Sequence, residues 1–336
     1  MDRFGLVPLD PWDPMIRITF LGTAASRPTV GRNVSGLSVQ REGDLMLFDC
    51  GEGTQRQMMR FGTGFGVQAI FVTHLHADHF LGIIGLLRTM ALQGREEGLR
   101  VYCPPGAETT LQAAIYLGVD RIQFPVQVQE VSPGQAVLFD EYEVLPFVVR
   151  HSTSAVGYAL REHPRLGRFD VDKARALGIP EGRLFGQLHR GESVEVGDRV
   201  IRPEEVVGDP RPGRLVVYTG DTRPSSETVE VAREADLLIH EATFLEEEAE
   251  RAHETFHSTA RGAAQVAQEA GVERLILTHV SARYSEDTAP LIDEARAVFP
   301  RTSVAKDGVT IEIGYRHDPE DPEKEDPPPP NVGPHG

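Results

Sequence analysis

Short apolar runs alternate with amphipathic stretches along most of this chain. The runs at Ile16–Leu21, Leu45–Asp49, Ala69–Thr73, Val126–Val131, Val144–Val149, Leu215–Thr219, Asp236–His240 and Leu275–Thr278 read as strands. Helical spacing of apolar residues predicts helices at Phe80–Gln93, Ala107–Leu117, Ser225–Glu234, Ser258–Glu269 and Ala289–Val298, the last behind the capping pair Asp287-Thr288. This mixture predicts sheets with helices packed outside them. Periodicity leaves open whether two sheets face each other or one sheet is doubly wound. No internal repeat of solenoid length is present.

Composition changes the picture at the ends. The 336 residues are 40% hydrophobic and 25% charged, which suffices for one large α/β domain or for two. Residues 1–14 read as an N-terminal extension and 15–314 as the folded unit. From Tyr315 to Gly336 the chain is rich in Pro, Asp and Glu, with Pro327 to Pro330 consecutive, and disorder is expected. Two cysteines, Cys50 and Cys103, give no disulfide framework and suit a reduced, cytoplasmic interior. The start has no apolar run behind a basic flank, and no stretch is long enough to span a bilayer.

The formal net charge is −17, which by itself argues against a nucleic-acid partner. However, Asp318, Glu320, Asp321, Glu323, Glu325 and Asp326 crowd into the tail, and bound cations are not in the sum. The segment Arg161–Arg190 departs from its surroundings, with seven basic residues against four acidic ones. It reads either as a solvated insertion or as an arm that grips a polyanion.

The strongest chemical signal is Thr73-His74-Leu75-His76-Ala77-Asp78-His79. It follows an apolar run and precedes a helical pattern, so four potential ligands crowd a strand-to-helix turn. Strand alternation would put His74 and His76 on one side, with Asp78 and His79 redirected by the turn. Imidazole and carboxylate suit zinc, and two groups of ligands suit a pair of ions. A solvated loop is the plain alternative. His151, Asp221 and His279 each follow a further apolar run, where open α/β folds place their chemistry.

In this order, Thr-His-Leu-His-Ala-Asp-His, then His151, then Gly220-Asp-Thr222, then Thr278-His-Val280 resemble the metallo-β-lactamase superfamily. The resemblance implies a four-layer αββα sandwich with two zinc ions at the sheet edge. It assigns His74, His76 and His151 to one ion, Asp78, His79 and His279 to the other, and Asp221 as the bridge. Phe20-Leu-Gly-Thr-Ala24, Pro28-Thr-Val-Gly-Arg-Asn33, Phe48-Asp-Cys-Gly-Glu-Gly-Thr-Gln55, His240-Glu-Ala-Thr-Phe244 and Phe256-His-Ser-Thr259 are similar to the ribonuclease Z family from about Ile16 to Ile313.

That resemblance implies a zinc-dependent endoribonuclease that removes the 3′ trailer of precursor tRNA, leaving a 3′-hydroxyl and a 5′-phosphate. Manganese could replace zinc, because His–Asp sites accept both. The family role for Asp78 is to orient and deprotonate the attacking water, and His257 is the candidate general acid, supported by Glu241. The rival role for His257 is a neighbour of the following helix's cap. By the same resemblance, a flexible arm spans about 161–212, with Arg165, Arg168, Lys173, Arg183, His189 and Arg190 toward the RNA. Arg32 and Asn33 would lie near its 3′ end, in a loop where Val30 replaces the family's usual lysine. Arg183 and His189 stand where the family more often has Pro and Lys. A homodimer is implied, and no membrane. Rival readings are a 3′ exoribonuclease with the same residues, a small ester, lactam or thioester hydrolase on the same fold, and a non-catalytic RNA-binding protein. His163, His253, His317 and His335 read as surface residues, and His240 as buried in its strand.

Overall fold

The structure is a computed structural model that describes residues 15–118 and 121–316. It opens with six strands: β1 (Ile16–Gly22), β2 (Gly36–Arg41), β3 (Asp44–Cys50), β4 (Val67–Phe71), β5 (Leu99–Cys103) and β6 (Val126–Glu130). Next come β7 (Val137–Leu138), β8 (Tyr142–Val148) and β9 (Val156–Glu162), then a hairpin of β10 (Val194–Val196) and β11 (Arg199–Ile201). The chain continues through β12 (Leu215–Tyr218), β13 (Leu237–Glu241), β14 (Leu275–Thr278), β15 (Thr302–Val304) and β16 (Thr310–Ile313). One sheet has the order β16-β1-β2-β3-β4-β5-β6 and the other β15-β14-β13-β12-β9-β8-β7. In the first, β3 to β6 run parallel; in the second, β12 to β15 do.

Side-chain alternation builds four layers from these two sheets. Phe48, Phe71, Tyr158, Val216, Tyr218 and Ile276 point into a core shared by both sheets. Their neighbours Leu47, Ile70 and Val101 point outward, against helices α1 (Thr54–Phe61), α2 (Ala77–Phe80), α3 (Gly82–Leu92) and α4 (Glu108–Ile115). On the other sheet Val217, Leu238, Leu275 and Leu277 face outward and meet later helices. Among these, Ala260, Ala263, Ala264, Ala267 and Ala270 form a small-residue stripe that lets the helix lie close. The expected αββα sandwich is what forms.

Between β9 and β12 the chain leaves the sandwich. Helices α5 (Val171–Ala176) and α6 (Arg183–His189) and the β10–β11 hairpin enclose a separate core of Ala174, Ile179, Leu188, Val194, Ile201 and Val206. The expected arm is thus a folded lobe. Its charge is also more even than the first half suggests: residues 161–212 hold ten basic and ten acidic side chains. Arg175 pairs with Glu181 at 2.7 Å and Arg190 with Glu192 at 3.3 Å.

The remaining helices are α7 (Ser226–Val231), α8 (Ala249–Glu254), α9 (Ala260–Ala270) and α10 (Ala289–Arg296). Thr259 caps α9, its hydroxyl accepting from Gly262 N, so that helix starts two residues after the expected Ser258. Tyr315 and Arg316, expected to begin the tail, are held against the fold. Tyr315 rests on arginine side chains, and Arg316 Nε donates to Asp236 Oδ1 at 2.6 Å. Residues 1–14 and 317–336, with the expected extension and the acidic run, lie outside the described residues. No helix among the described residues is long and apolar enough to cross a membrane.

Candidate metal centre

All seven expected ligands converge at one edge of the sandwich, beyond the C-terminal ends of strands. His74 and His76 follow β4, which ends at Phe71, two residues earlier than expected. They therefore lie on the connection, and Asp78 and His79 sit on the short helix α2 rather than on a turn. Two glycines let α2 and α3 seat this low. A Cβ on Gly82 would lie 2.0 Å from Gly51 O, and one on Gly51 would lie 2.2 Å from Asp78 O. His151 follows β8, Asp221 follows β12, and His279 follows β14.

Ring nitrogens and carboxylate oxygens meet in two groups. In one, His76 Nδ1 lies 3.0 Å from His74 Nε2 and 3.1 Å from His151 Nε2. Asp221 Oδ2 completes it at 3.7 Å from His74 Nε2 and 3.9 Å from His151 Nε2. In the other, Asp221 Oδ1 is 3.3 Å from both His79 Nε2 and His279 Nε2. Asp78 Oδ2 stands 3.5 and 3.3 Å from the same two nitrogens. Ligands held 2.0–2.1 Å from a tetrahedral ion are spaced about 3.3 Å apart. Both groups match that spacing, and the two oxygens of Asp221 divide between them.

The outer partners settle which nitrogens are free. The Thr73 hydroxyl donates to Asp49 and so accepts from His74 Nδ1–H at 3.0 Å. His79 Nδ1–H donates to Asp49 Oδ2 at 2.7 Å. His151 Nδ1–H donates to Phe256 O at 3.3 Å. The Thr243 hydroxyl donates to Glu241 and accepts from His279 Nδ1–H at 2.9 Å. Four Nε2 atoms are left to offer lone pairs inward, an arrangement that suits metal ligation.

Lone pairs converging without protons between them need a cation. Asp221 is 3% exposed, and its Oδ1 has no hydrogen-bond partner among the described residues. Charges respond accordingly. Burial would lower the pKa of His79, but Asp221 and Asp49 outweigh it and raise it well above its ordinary value. Burial pushes the pKa of His74 down, and the neighbouring His79 charge adds to that. Burial opposes ionisation of Asp221, yet the charges of His279 and His79 keep it well below the usual carboxylate range. A divalent ion held by these residues would supply the positive charge that the carboxylates favour here.

Backbone strain collects at the same place. Of six non-glycine residues with positive φ among the described residues, four serve it: Ser26, Asp49, Phe256 and His279. Ser26 N donates to Asp78 Oδ2 at 2.8 Å. His257 lies beside the ligands, its Nδ1 2.8 Å from Glu241 Oε1. Burial would lower the pKa of His257, but the Glu241 charge and hydrogen bond raise it to about 9.

A family description, the β-lactamase superfamily domain, matches residues 45–169 and 206–280 and skips most of the lobe. Ribonuclease Z of Haloferax volcanii is 55% identical over 303 residues, covering 89% of this chain and 96% of the relative. Ribonuclease Z of Gemmatimonas aurantiaca is 56% identical over 299 residues, covering 88% and 95%. The chain belongs to the ribonuclease Z family. It is a ribonuclease Z-type enzyme, and the family's fold implies divalent metal binding. The crystal structure of the short form of human tRNase Z is 28% identical, covers 88% of this chain and 98% of its own, and superposes with a TM-score of 0.64.

The residues expected near substrate differ in their exposure. Arg32 is 7% exposed, and its Nη1 donates to Thr23 Oγ1 and Ala305 O at 2.7 Å, so the guanidinium braces its loop from within. Asn33 N donates to Asp307 Oδ2 at 2.6 Å. Arg165 lies at the lobe's root against Tyr315, and His189 Nε2 meets Gly167 O at 3.1 Å inside the lobe. Arg168, Lys173, Arg183 and Arg190 are exposed on the lobe. Asp49, Thr73 and Thr243 serve the centre without having been assigned a role from sequence. For Asp49 a signal existed: a carboxylate ending the apolar run Leu45–Phe48 has to be buried with partners.

Proposed function

We propose that this chain removes the 3′ trailer from precursor tRNA by hydrolysing one phosphodiester, with two divalent cations at the centre. The observation that carries the reading is Asp221, whose two oxygens face two separate groups of ligands. His74, His76 and His151 with Asp221 Oδ2 would hold one ion, and Asp78, His79 and His279 with Oδ1 the other. The imidazole and carboxylate donors suit zinc, with manganese the alternative. Such ions, when bound, lower the pKa of water to about 7 and draw charge from the phosphate oxygens.

The chain's own groups supply orientation and protons. Asp78, fixed by Ser26 N, orients the attacking water and accepts its proton. As the bond from phosphorus to the ribose O3′ breaks, that oxygen takes a proton from His257. Glu241 keeps His257 charged and fixes its ring, and receives further hydrogen bonds from Thr222 N, Thr243 and Ser258 N. The products are a tRNA with a 3′-hydroxyl and a trailer with a 5′-phosphate. The choice of tRNA rests on the relatives named ribonuclease Z and tRNase Z. The lobe is the surface we assign to the RNA, and a homodimer would set two lobes beside two centres.

An internally labelled precursor tRNA with a long trailer tests the reading. One intact trailer bearing a 5′-phosphate is expected. Mononucleotides would instead indicate exonucleolytic trimming, and no cleavage by the metal-loaded protein would remove the assignment.

A further inference from the structure

We propose that Tyr315 is a positioning residue for substrate: its ring locks the root of the lobe to the sandwich and so fixes where the lobe meets the RNA. The inference rests on the reading that the lobe holds RNA. Little chain joins the lobe to the sandwich. The lobe leaves at the end of β9 and returns just before β12. At its root Arg165 N donates to Arg211 O at 2.8 Å, and Arg211 N to Arg165 O at 2.9 Å. A two-stranded ribbon of this kind twists and bends unless something braces it.

Two braces are present. The first is Glu162, buried where β9 ends. Its carboxylate accepts from Arg41 Nε of one sheet at 2.7 Å and from Arg214 Nε and Nη2 of the other at 2.8 and 2.7 Å. It holds the two sheets together but touches no residue inside the lobe among these contacts. The second is Tyr315. Arg214 Nη1 donates to Ile313 O at 2.7 Å, so the chain leaving β16 arrives at the root. There the Tyr315 ring centroid lies 3.2 Å from Arg165 Cζ and 4.0 Å from Arg214 Cζ. Arg165 belongs to the lobe and Arg214 to the sandwich, so one ring spans the joint.

The ring is itself held from both sides in sequence. Ile313 pairs with Ile16 in the sheet, and Arg316 is tied to Asp236 and to Glu234 O. Arg165 Nε is buried without a hydrogen-bond partner among the described residues. The aromatic face is therefore what receives that guanidinium. A substituent that keeps the ring keeps the joint, and one that removes it frees the ribbon.

The test compares the full chain with Tyr315→Ala and Tyr315→Phe. Without RNA, Tyr315→Ala should speed amide hydrogen exchange at residues 163–170 and 207–213 about tenfold and leave the sheets unchanged, since only a local brace is lost. Its kcat/KM on precursor tRNA should fall roughly tenfold, mostly through KM, while hydrolysis of bis(p-nitrophenyl) phosphate stays within about twofold. Tyr315→Phe should match the unaltered chain in both. Unchanged exchange at the root overturns the brace whatever the activity. Equal loss on both substrates overturns the positioning role, because the damage would then reach the centre. Faster exchange with intact precursor cleavage keeps the brace and overturns the substrate role given to the lobe.

Discussion

The carboxylate of Glu241 lies 2.8 Å from His257 Nδ1 and through the Thr243 hydroxyl also reaches His279. One buried carboxylate thus orients both the proposed proton donor and a proposed metal ligand. Glu241 itself is fully buried, and although burial opposes its charge, the positive His257 ring keeps its pKa low. The proposed acid and the candidate metal centre are two ends of one hydrogen-bonded unit.

Replacing His257 should separate chemistry from metal binding. His257→Ala is expected to retain its metal and slow precursor cleavage about 100-fold or more. Metal analysis and single-turnover rates on one preparation check this. Full activity in the variant would remove His257 from the mechanism.

Glu241→Gln keeps the shape and removes the charge. In the proposed mechanism His257 is the acid, so activity is expected below its pKa and lost as pH rises through it. The Glu241 charge raises that pKa, so its removal should move the alkaline limb of the kcat profile to lower pH. An unmoved limb would mean that another group titrates there.

Asp49 accepts from Thr73 N at 2.7 Å, His79 Nδ1 at 2.7 Å and Tyr218 OH at 2.8 Å. Asp49→Asn turns an amide N–H toward donors. Metal affinity should fall about 10–100-fold, as for other outer partners of ligating histidines, and a competitive chelator titration reads this. His74→Ala removes a proposed ligand outright and should abolish metal retention and cleavage together.

Glu162 makes stability pH-dependent away from the metal centre. Burial would raise its pKa, but Arg214 and Arg41 outweigh this and lower it. The folded-state value is below the unfolded one, so the contribution is complete above about pH 4.3 and is lost as pH falls through the folded value. Glu162→Gln leaves two buried guanidinium groups short of a counter-charge and should cost about 3–5 kcal/mol. Urea midpoints measured at neutral pH and across the acid range check both statements.

Much of the centre was legible because its candidate ligands follow apolar runs. His151, Asp221 and His279 each follow a strand that alternation or apolarity marks clearly. The segment Thr73–His79 was legible as a ligand cluster but not in its local shape, since nothing in it announces that the strand stops at Phe71. Strands β2, β5 and β9 were not recognised. Their residues are covered on both faces for most of their length, which erases the period of two that marks a half-buried strand. The burial of Arg32 was hidden for a different reason: its partners Thr23 and Ala305 are brought to it only by tertiary folding. The lobe's balanced charge lies in the composition of 191–212, where six acidic residues against three basic ones offset the basic first half.

The most direct test of the account is anomalous diffraction at the zinc edge from crystals of the metal-loaded protein. Two peaks are predicted, one among His74, His76 and His151 and one among Asp78, His79 and His279, with an oxygen of Asp221 on each. A single peak, or peaks that do not share Asp221, would contradict it.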